Sequence, residues 1–334
     1  MTDTDRPDTP DADDTTLEDR RPVDSGVQPS GQPAALADTE GEEHHDHELA
    51  VQTRSQRQLI VRRFLQHRLA MVSLFVLVLL IIGSLVGGSL WTYDYAEQLP
   101  AFNEPPSMAH PMGIDDIGRD LMAKVLRGAQ RSVQVALLVA FLSTTVGTIV
   151  GAIAGYYRGI IDSVLMRITD LFLVIPSLAV FLLLARIVGG GWFQLALIIA
   201  AFFWMPLARI VRAEVLSLRE KEYVEAARAL GASDARIIVR HLLPNAIGSI
   251  IVNATIVVAV AILAETSLSY LGLGIAAPDT SLGLLVSEGQ AAFKTRPHLF
   301  YWPGFLIILI ALSVNFVGDG LRDAFDPRQK RVRQ

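Results

Sequence analysis

Cysteine is absent from all 334 residues. That excludes disulfides, thiolate metal sites and cysteine nucleophiles at a stroke. Charge is scarce: Asp, Glu, Lys and Arg make up 19% of the chain against 51% hydrophobic residues, a composition that points to the membrane class. The phosphate-loop pattern G-x-x-x-x-G-K-[ST] occurs nowhere, so no P-loop nucleotide site is expected, and any ATPase that powers this protein is another polypeptide. H-E-x-x-H and G-x-S-x-G are missing too. With no catalytic constellation, the chain is expected not to be an enzyme and to carry no cofactor and no metal. No nucleic-acid partner is expected.

The formal net charge of −5 misleads, because the first fifty residues hold 15 of the 34 acidic residues and only 3 of the 29 basic ones. Residues 1–52 are rich in Asp, Glu, Thr, Pro and Gly and nearly free of branched apolar and aromatic side chains. Such a segment buries too little surface to offset its ordering entropy, so it reads as a disordered cytoplasmic tail. It has no apolar run behind a basic start and is not a signal peptide. His44-His45-Asp46-His47 could hold a metal ion; a solvated run in the tail is the preferred reading.

A bilayer core of about 30 Å needs roughly twenty apolar residues per helix. Five uncharged runs reach that length: Leu69–Leu90, Ser132–Gly155, Ile187–Ala208, Leu242–Ala264 and Leu299–Gly318. A sixth, 163–186, carries Arg167 and Asp170 near its start. Arg54, Arg57, Arg62, Arg63 and Arg68 precede the first run, seven basic residues fill 209–241, and Arg328, Lys330, Arg331 and Arg333 close the chain. With six spans these regions share one side, the cytoplasm by the positive-inside rule. The expected domains are a first span at 69–90 and an extracytoplasmic loop at 91–131. A core follows at 132–322, with spans 132–155, 163–186, 187–208, 246–268 and 302–321. A basic cytoplasmic end occupies 323–334, and membrane lipid surrounds the whole.

Between the fourth and fifth spans, residues 213–245 read as a polar helix-turn-helix. Ser217 and Glu220 form a capping-box pattern, Gly231 suits a helix stop that needs φ > 0, Ser233 can cap the next helix, and Pro244 breaks the pattern. Tyr223, Ala227 and Leu230 share one face, and the small Ala226 and Ala227 let a partner surface approach. Helix physics alone leaves a loop helix lying on the membrane as an equal alternative.

The pattern Glu225-Ala226-Ala227, Gly231, Leu243-Pro244 resembles the EAA loop of ABC-importer permeases. The stretch SLREKEYVEAARALGASD, with His241 where the general pattern has Ile, is similar to the dipeptide and oligopeptide branch. So are His110–Asp120, Gly155-Tyr156-Tyr157 with Met166-Arg167, Ser267–Gly274 and Gly318–Pro327. The resemblance runs from about Arg62 to Arg328, with Ile114 and Tyr270 departing mildly. It implies an all-α integral membrane protein of the type I importer permease fold, one extra span before a five-span core, in the cytoplasmic membrane. It also implies a homologous sister permease, two cytoplasmic ATP-binding subunits, and an extracytoplasmic substrate-binding protein. In such a complex Tyr223, Glu225, Ala226, Ala227, Gly231, Leu243 and Pro244 belong to the loop that docks on the ATPase. The implied cargo is a di- or oligopeptide, with nickel or another small solute as the alternative. A secondary transporter or channel is the rival from another class, and it leaves the EAA-like loop unexplained.

Gly147, Gly151 and Gly155 recur every four residues, a stripe that lets helices pack closely; packing within the chain is favoured over contact with a sister permease. Pro176, Pro206 and Pro303-Gly304 can kink their spans. Arg167, Asp170, Glu265 and Asp319 are ionisable positions inside spans. Such groups are costly there and point to function by default; pairing between Arg167 and Asp170 is preferred to substrate contact.

Overall fold

The computed structural model describes residues 56–325. The acidic tail with His44–His47, Arg54 and the basic residues after Pro327 lie outside that range. The described residues form helices and no β-strand, with a single isolated bridge between Ile114 and Asp120. In chain order the helices are α1 (Gln56–Gln66), α2 (Arg68–Leu90), α3 (Leu121–Tyr157), α4 (Gly159–Val174), α5 (Ser177–Val188) and α6 (Trp192–Leu218). There follow α7 (Glu222–Ala229), α8 (Asp234–Ile237), a π-helical turn (Ile238–Leu242), α9 (Leu243–Tyr270), α10 (Leu282–Ala291) and α11 (His298–Phe325).

Among the described residues, five helices are long and apolar enough to cross a membrane: α2, α3, α6, the continuous Asp234–Tyr270 helix and α11. The segment expected to be one more span is broken instead. Its halves, α4 and α5, meet at Ile175-Pro176 with a bend of 82°. Pro176 has no N–H to continue the α4 ladder, and the residue before a proline is pushed to extended backbone; Ile175 has ψ 128°.

The glycine stripe of α3 fixes the direction of the neighbouring helices. A Cβ at Gly147 would stand 2.7 Å from the Trp204 carbonyl oxygen and one at Gly155 would stand 2.8 Å from that of Arg212; Gly151 meets Ala208 in the same way. Rising numbers on α3 therefore face rising numbers on α6, so the two helices run parallel. Each of these glycines lies where any side chain would force the two backbones apart. Parallel neighbours require the chain between them to return. It leaves α3 at Arg158 and reaches α6 beside Gly190, whose carbonyl accepts from Ala276 N–H at 2.9 Å at the opposite end of the bundle. The bent α4–α5 pair makes that return.

Several boundaries differ from expectation. The loop expected at 91–131 ends at Asp120. The Asp120 carboxylate accepts from Ala123 N–H at 2.8 Å and starts α3 eleven residues early, at Leu121. Residues 187–188 finish α5, and α6 runs from Trp192 to Leu218. Much of the 213–245 loop is thus helical. Ser217 sits inside α6 and caps nothing; Glu220 pairs with Arg158 at 2.5 Å, and α7 starts at Lys221 with no side-chain cap. Ser233 precedes α8 but its hydroxyl makes no capping bond. Pro244 does not end a helix. The π-helical turn before it, closed by Leu243 N–H to the Ile238 carbonyl, widens the backbone where the proline ring would meet the Arg240 carbonyl.

The main apolar core joins α3, α6, α9, α10 and α11 around Val135, Ile199, Ile262 and Ile310. A second cluster lies at the end of the bundle that holds α7.

Candidate functional site

The polar end of the bundle gathers the residues singled out between the fourth and fifth spans. Helix α7 has Glu222 and Glu225 in its first turn and Arg228 in its last, an order that suits the helix dipole. It stops in a Schellman arrangement: Ala232 N–H bonds to the Ala227 carbonyl and Gly231 N–H to that of Arg228, both at 3.0 Å. Gly231 has φ +82° and open space where a Cβ would stand, so backbone conformation alone demands glycine there.

Val224 fastens this short helix to the bundle. It is fully buried and joins Tyr156, Val215, Ile237, Leu242 and Ala246 in the second apolar cluster. Sequence reasoning passed over Val224 because an isolated apolar residue among charges carries no periodic signal. Around it, the Tyr156 hydroxyl donates to Asp234 at 2.6 Å. Arg219 lies over the Tyr156 ring and donates to the Tyr156 carbonyl. The end of α3, the α6–α7 turn and the start of α8 thus form one braced unit.

The outward side of this unit is free. Leu230 is 89% exposed, Val239 65% and Tyr223 41%. Ala226, Ala229 and Gly231 are exposed between them, whereas Ala227 is half-buried. The Glu225 carboxylate is exposed and has no hydrogen bond or ion pair among the described residues. Leu243 is half-buried and Pro244 exposed, one turn below. Large exposed apolar side chains rimmed by charge thus stand together at the polar end of the bundle.

The ionisable residues of the spans do not converge. Arg167 and Asp170, three apart, do not pair. Asp170 bonds to Arg209 of α6 instead, and Arg167 is exposed with no partner among the described residues. Helix α4 lies against α6, which brings Arg209 to Asp170 and Arg212 to Asp162 (2.5 Å). Asp319 is exposed, also with no partner among the described residues. Glu265 is wholly buried and accepts from the Ser132 hydroxyl (2.9 Å) and the Ser269 hydroxyl (2.6 Å). The Ser281 hydroxyl donates on to Ser269 at 3.1 Å, and Leu282 N–H donates to Ser132 at 3.3 Å. One carboxyl group thereby ties α3, α9 and the start of α10 together.

The opposite end of the bundle holds a set of ion pairs that apolar runs do not reveal. Lys124, buried, bonds to Asp115 and Glu288, both at 2.9 Å. Arg127 and Arg131 both grip Asp279, at 2.8 and 2.6 Å. His110 meets Asp120 at 2.7 Å. Lys124, Arg127 and Arg131 are neutralised by carboxylates in place.

Residues 147–331 match the family described as binding-protein-dependent transport system inner membrane component, and residues 55–106 match the N-terminal TM domain of oligopeptide transport permease C. The chain is 42% identical to the oligopeptide transport system permease protein OppC of Mycobacterium tuberculosis (strain ATCC 25618 / H37Rv), over 84% of this chain and 97% of that one. It is 39% identical to OppC of Bacillus subtilis (strain 168), covering 80% and 88%. It is also 35% identical to the glutathione transport system permease protein GsiD of Escherichia coli O6:K15:H31, covering 80% and 89%. Among solved structures, an inward-facing MetNI methionine ABC transporter chain aligns with TM-score 0.52 at 20% identity, over 62% of this chain and 98% of that one. That likeness carries the fold alone.

Proposed function

The chain belongs to the family of binding-protein-dependent transport system inner membrane components, and from that premise we propose that it is the peptide-translocating permease of an ATP-driven importer. It is a multi-pass inner membrane protein. In our reading α2, α3, the α4–α5 pair, α6, α9 and α11 give six crossings, with both termini and α7 in the cytoplasm. A homologous sister permease completes the path, two ATP-binding subunits sit beneath it, and a substrate-binding protein delivers peptide from outside.

The observation that carries this reading is the α7 unit, in which the braced helix and the turns that follow it present Tyr223, Glu225, Leu230 and Val239 to solvent. Closure of an ATPase pair can push on such a unit without bending it. Because Val224 and the Tyr156 contacts root it in α3, α6 and α9, the push reaches the spans as a tilt. Peptide as cargo is supported by the names of the relatives, two oligopeptide permeases and a glutathione permease.

The test is uptake into proteoliposomes holding both permeases, the ATPase subunits and the binding protein. Labelled peptide should accumulate with ATP and ionophores present, and should not accumulate on an imposed ion gradient without ATP. Gradient-driven uptake without ATP would make the protein a secondary transporter, and nickel uptake without peptide uptake would replace the cargo.

A further inference from the structure

One face of α9 changes character along its length. Asn245, Ser249, Asn253, Ile256, Val260 and Leu263 follow one another at steps of three and four and so lie in one row along the helix. Ile256, Val260 and Leu263 are apolar and exposed. The half nearer α7 is polar: Asn245 is exposed, Ser249 and Asn253 are half-buried. At 1.5 Å per residue Asn253 lies about 15 Å beyond Leu243, so the polar stretch runs well into the span.

Glu214 of α6 closes on this stretch. Its half-buried carboxylate accepts from the Ser249 hydroxyl at 3.3 Å and has no ion pair among the described residues. Both arginines of α6 are engaged elsewhere, Arg209 by Asp170 and Arg212 by Asp162. The asparagines direct donors onto their own helix: Asn253 Nδ2 donates to the Ser249 carbonyl at 2.8 Å, and Asn245 Nδ2 to that of His241 at 2.5 Å. A carbonyl only accepts, so these bonds fix the amide orientation and leave both Oδ1 atoms as acceptors. Neither Oδ1 receives a hydrogen bond among the described residues. The row therefore offers one uncompensated negative charge and a set of lone pairs. That is the complement of an ammonium group, which has three donors and no acceptor. An unpaired carboxylate beside a membrane span belongs against protein or a wet cavity, and this row opens at Asn245, beside Pro244 at the α7 end.

We propose that Glu214, Ser249 and Asn253 line the inner part of the cargo route and receive the protonated amino end of a peptide on its way to the cytoplasm. The proposal rests on the permease reading above and adds which end of the cargo the route holds and with which side chains.

The absence of cysteine makes the test direct. Asn253→Cys is introduced into the complete transporter in vesicles with the cytoplasmic face outward. Its labelling rate is read on this chain with a trimethylammonium and a sulfonate thiosulfonate reagent, each relative to a free thiol in solution. The cationic reagent should react on the order of tenfold faster than the anionic one, and Glu214→Gln in the same chain should bring the two rates close together. Trialanine in excess should slow the cationic reagent, and N-acetyl-trialanine should not. No labelling of Asn253→Cys, equal rates with Glu214 present, or a ratio unchanged by Glu214→Gln would overturn the proposal, as would protection by both peptides or by neither. ATP-driven peptide uptake by the wild-type complex is scored separately. If uptake is normal and the labelling shows no preference for the cation, the row is wrong and the permease reading stands; if the wild-type complex takes up no peptide, both fall.

Discussion

At the scale of single residues, Glu265 is the position whose role changed most between sequence and structure. An acidic residue in a span suggests substrate contact, yet its carboxyl oxygens are taken by Ser132 and Ser269 in a site closed to solvent. Removing it strands two buried hydroxyls, each costing on the order of 1–3 kcal/mol when left unsatisfied. Glu265→Ala should therefore lower the thermal midpoint of the purified complex well below that of Glu265→Gln, which keeps an acceptor for one hydroxyl. Equal midpoints for the two variants would show that the serine contacts do not hold the helices together. Gly231 was legible in advance because a left-handed helix stop asks for glycine in any context. Val224 and Lys124 were not, since their importance comes from neighbours more than twenty residues away on average along a folded path that no local pattern encodes.

Among the elements, long apolar runs revealed the spans but not their ends. Apolar periodicity reports which residues leave water, and α3 extends eleven residues beyond its apolar run, to Leu121, because Asp120 caps it and Asp115 and Glu288 neutralise Lys124. The chain breaks at Pro176, whereas Pro206 and Pro303 lie inside the unbroken α6 and α11. A proline says that one hydrogen bond is missing, and packing decides whether the helix bends, breaks or widens into a π turn as it does before Pro244. The outer-end charges give this scale its prediction. Asp279 serves Arg127 and Arg131 at once, each of the three side chains being less than a quarter exposed. Asp279→Ala leaves two adjacent like charges and should destabilise the complex by about 1–3 kcal/mol, between the exposed and buried ion-pair ranges. Arg131→Gln in the same background should recover part of that loss. Thermal unfolding of the two variants checks this, and no recovery would mean that the arginines are held apart by other contacts.

For the whole molecule, α3 and α6 run parallel, and the bent α4–α5 segment returns the chain between them. Sidedness is the prediction at this scale. Single cysteines replacing Ser233 and Ala291, both in exposed positions of a chain without cysteine, should react with an impermeant thiol reagent from opposite faces of the membrane, Ser233 from the cytoplasm. Labelling of both from the same face would end the six-span reading. The central claim is that force enters this bundle through α7. Glu225→Lys inverts the free charge on its outward face, and Gly231→Val forces a β-branched residue to φ +82°, a strain of about 1–3 kcal/mol at the turn while the spans stay intact. The decisive measurement is ATP-driven peptide uptake by proteoliposomes carrying each variant, with retention of the ATPase subunits on the purified permease pair scored alongside. Both variants should assemble with the sister permease and lose ATPase retention or uptake; normal retention and normal uptake in both would contradict the account and leave α7 a helix at the membrane surface with no part in coupling.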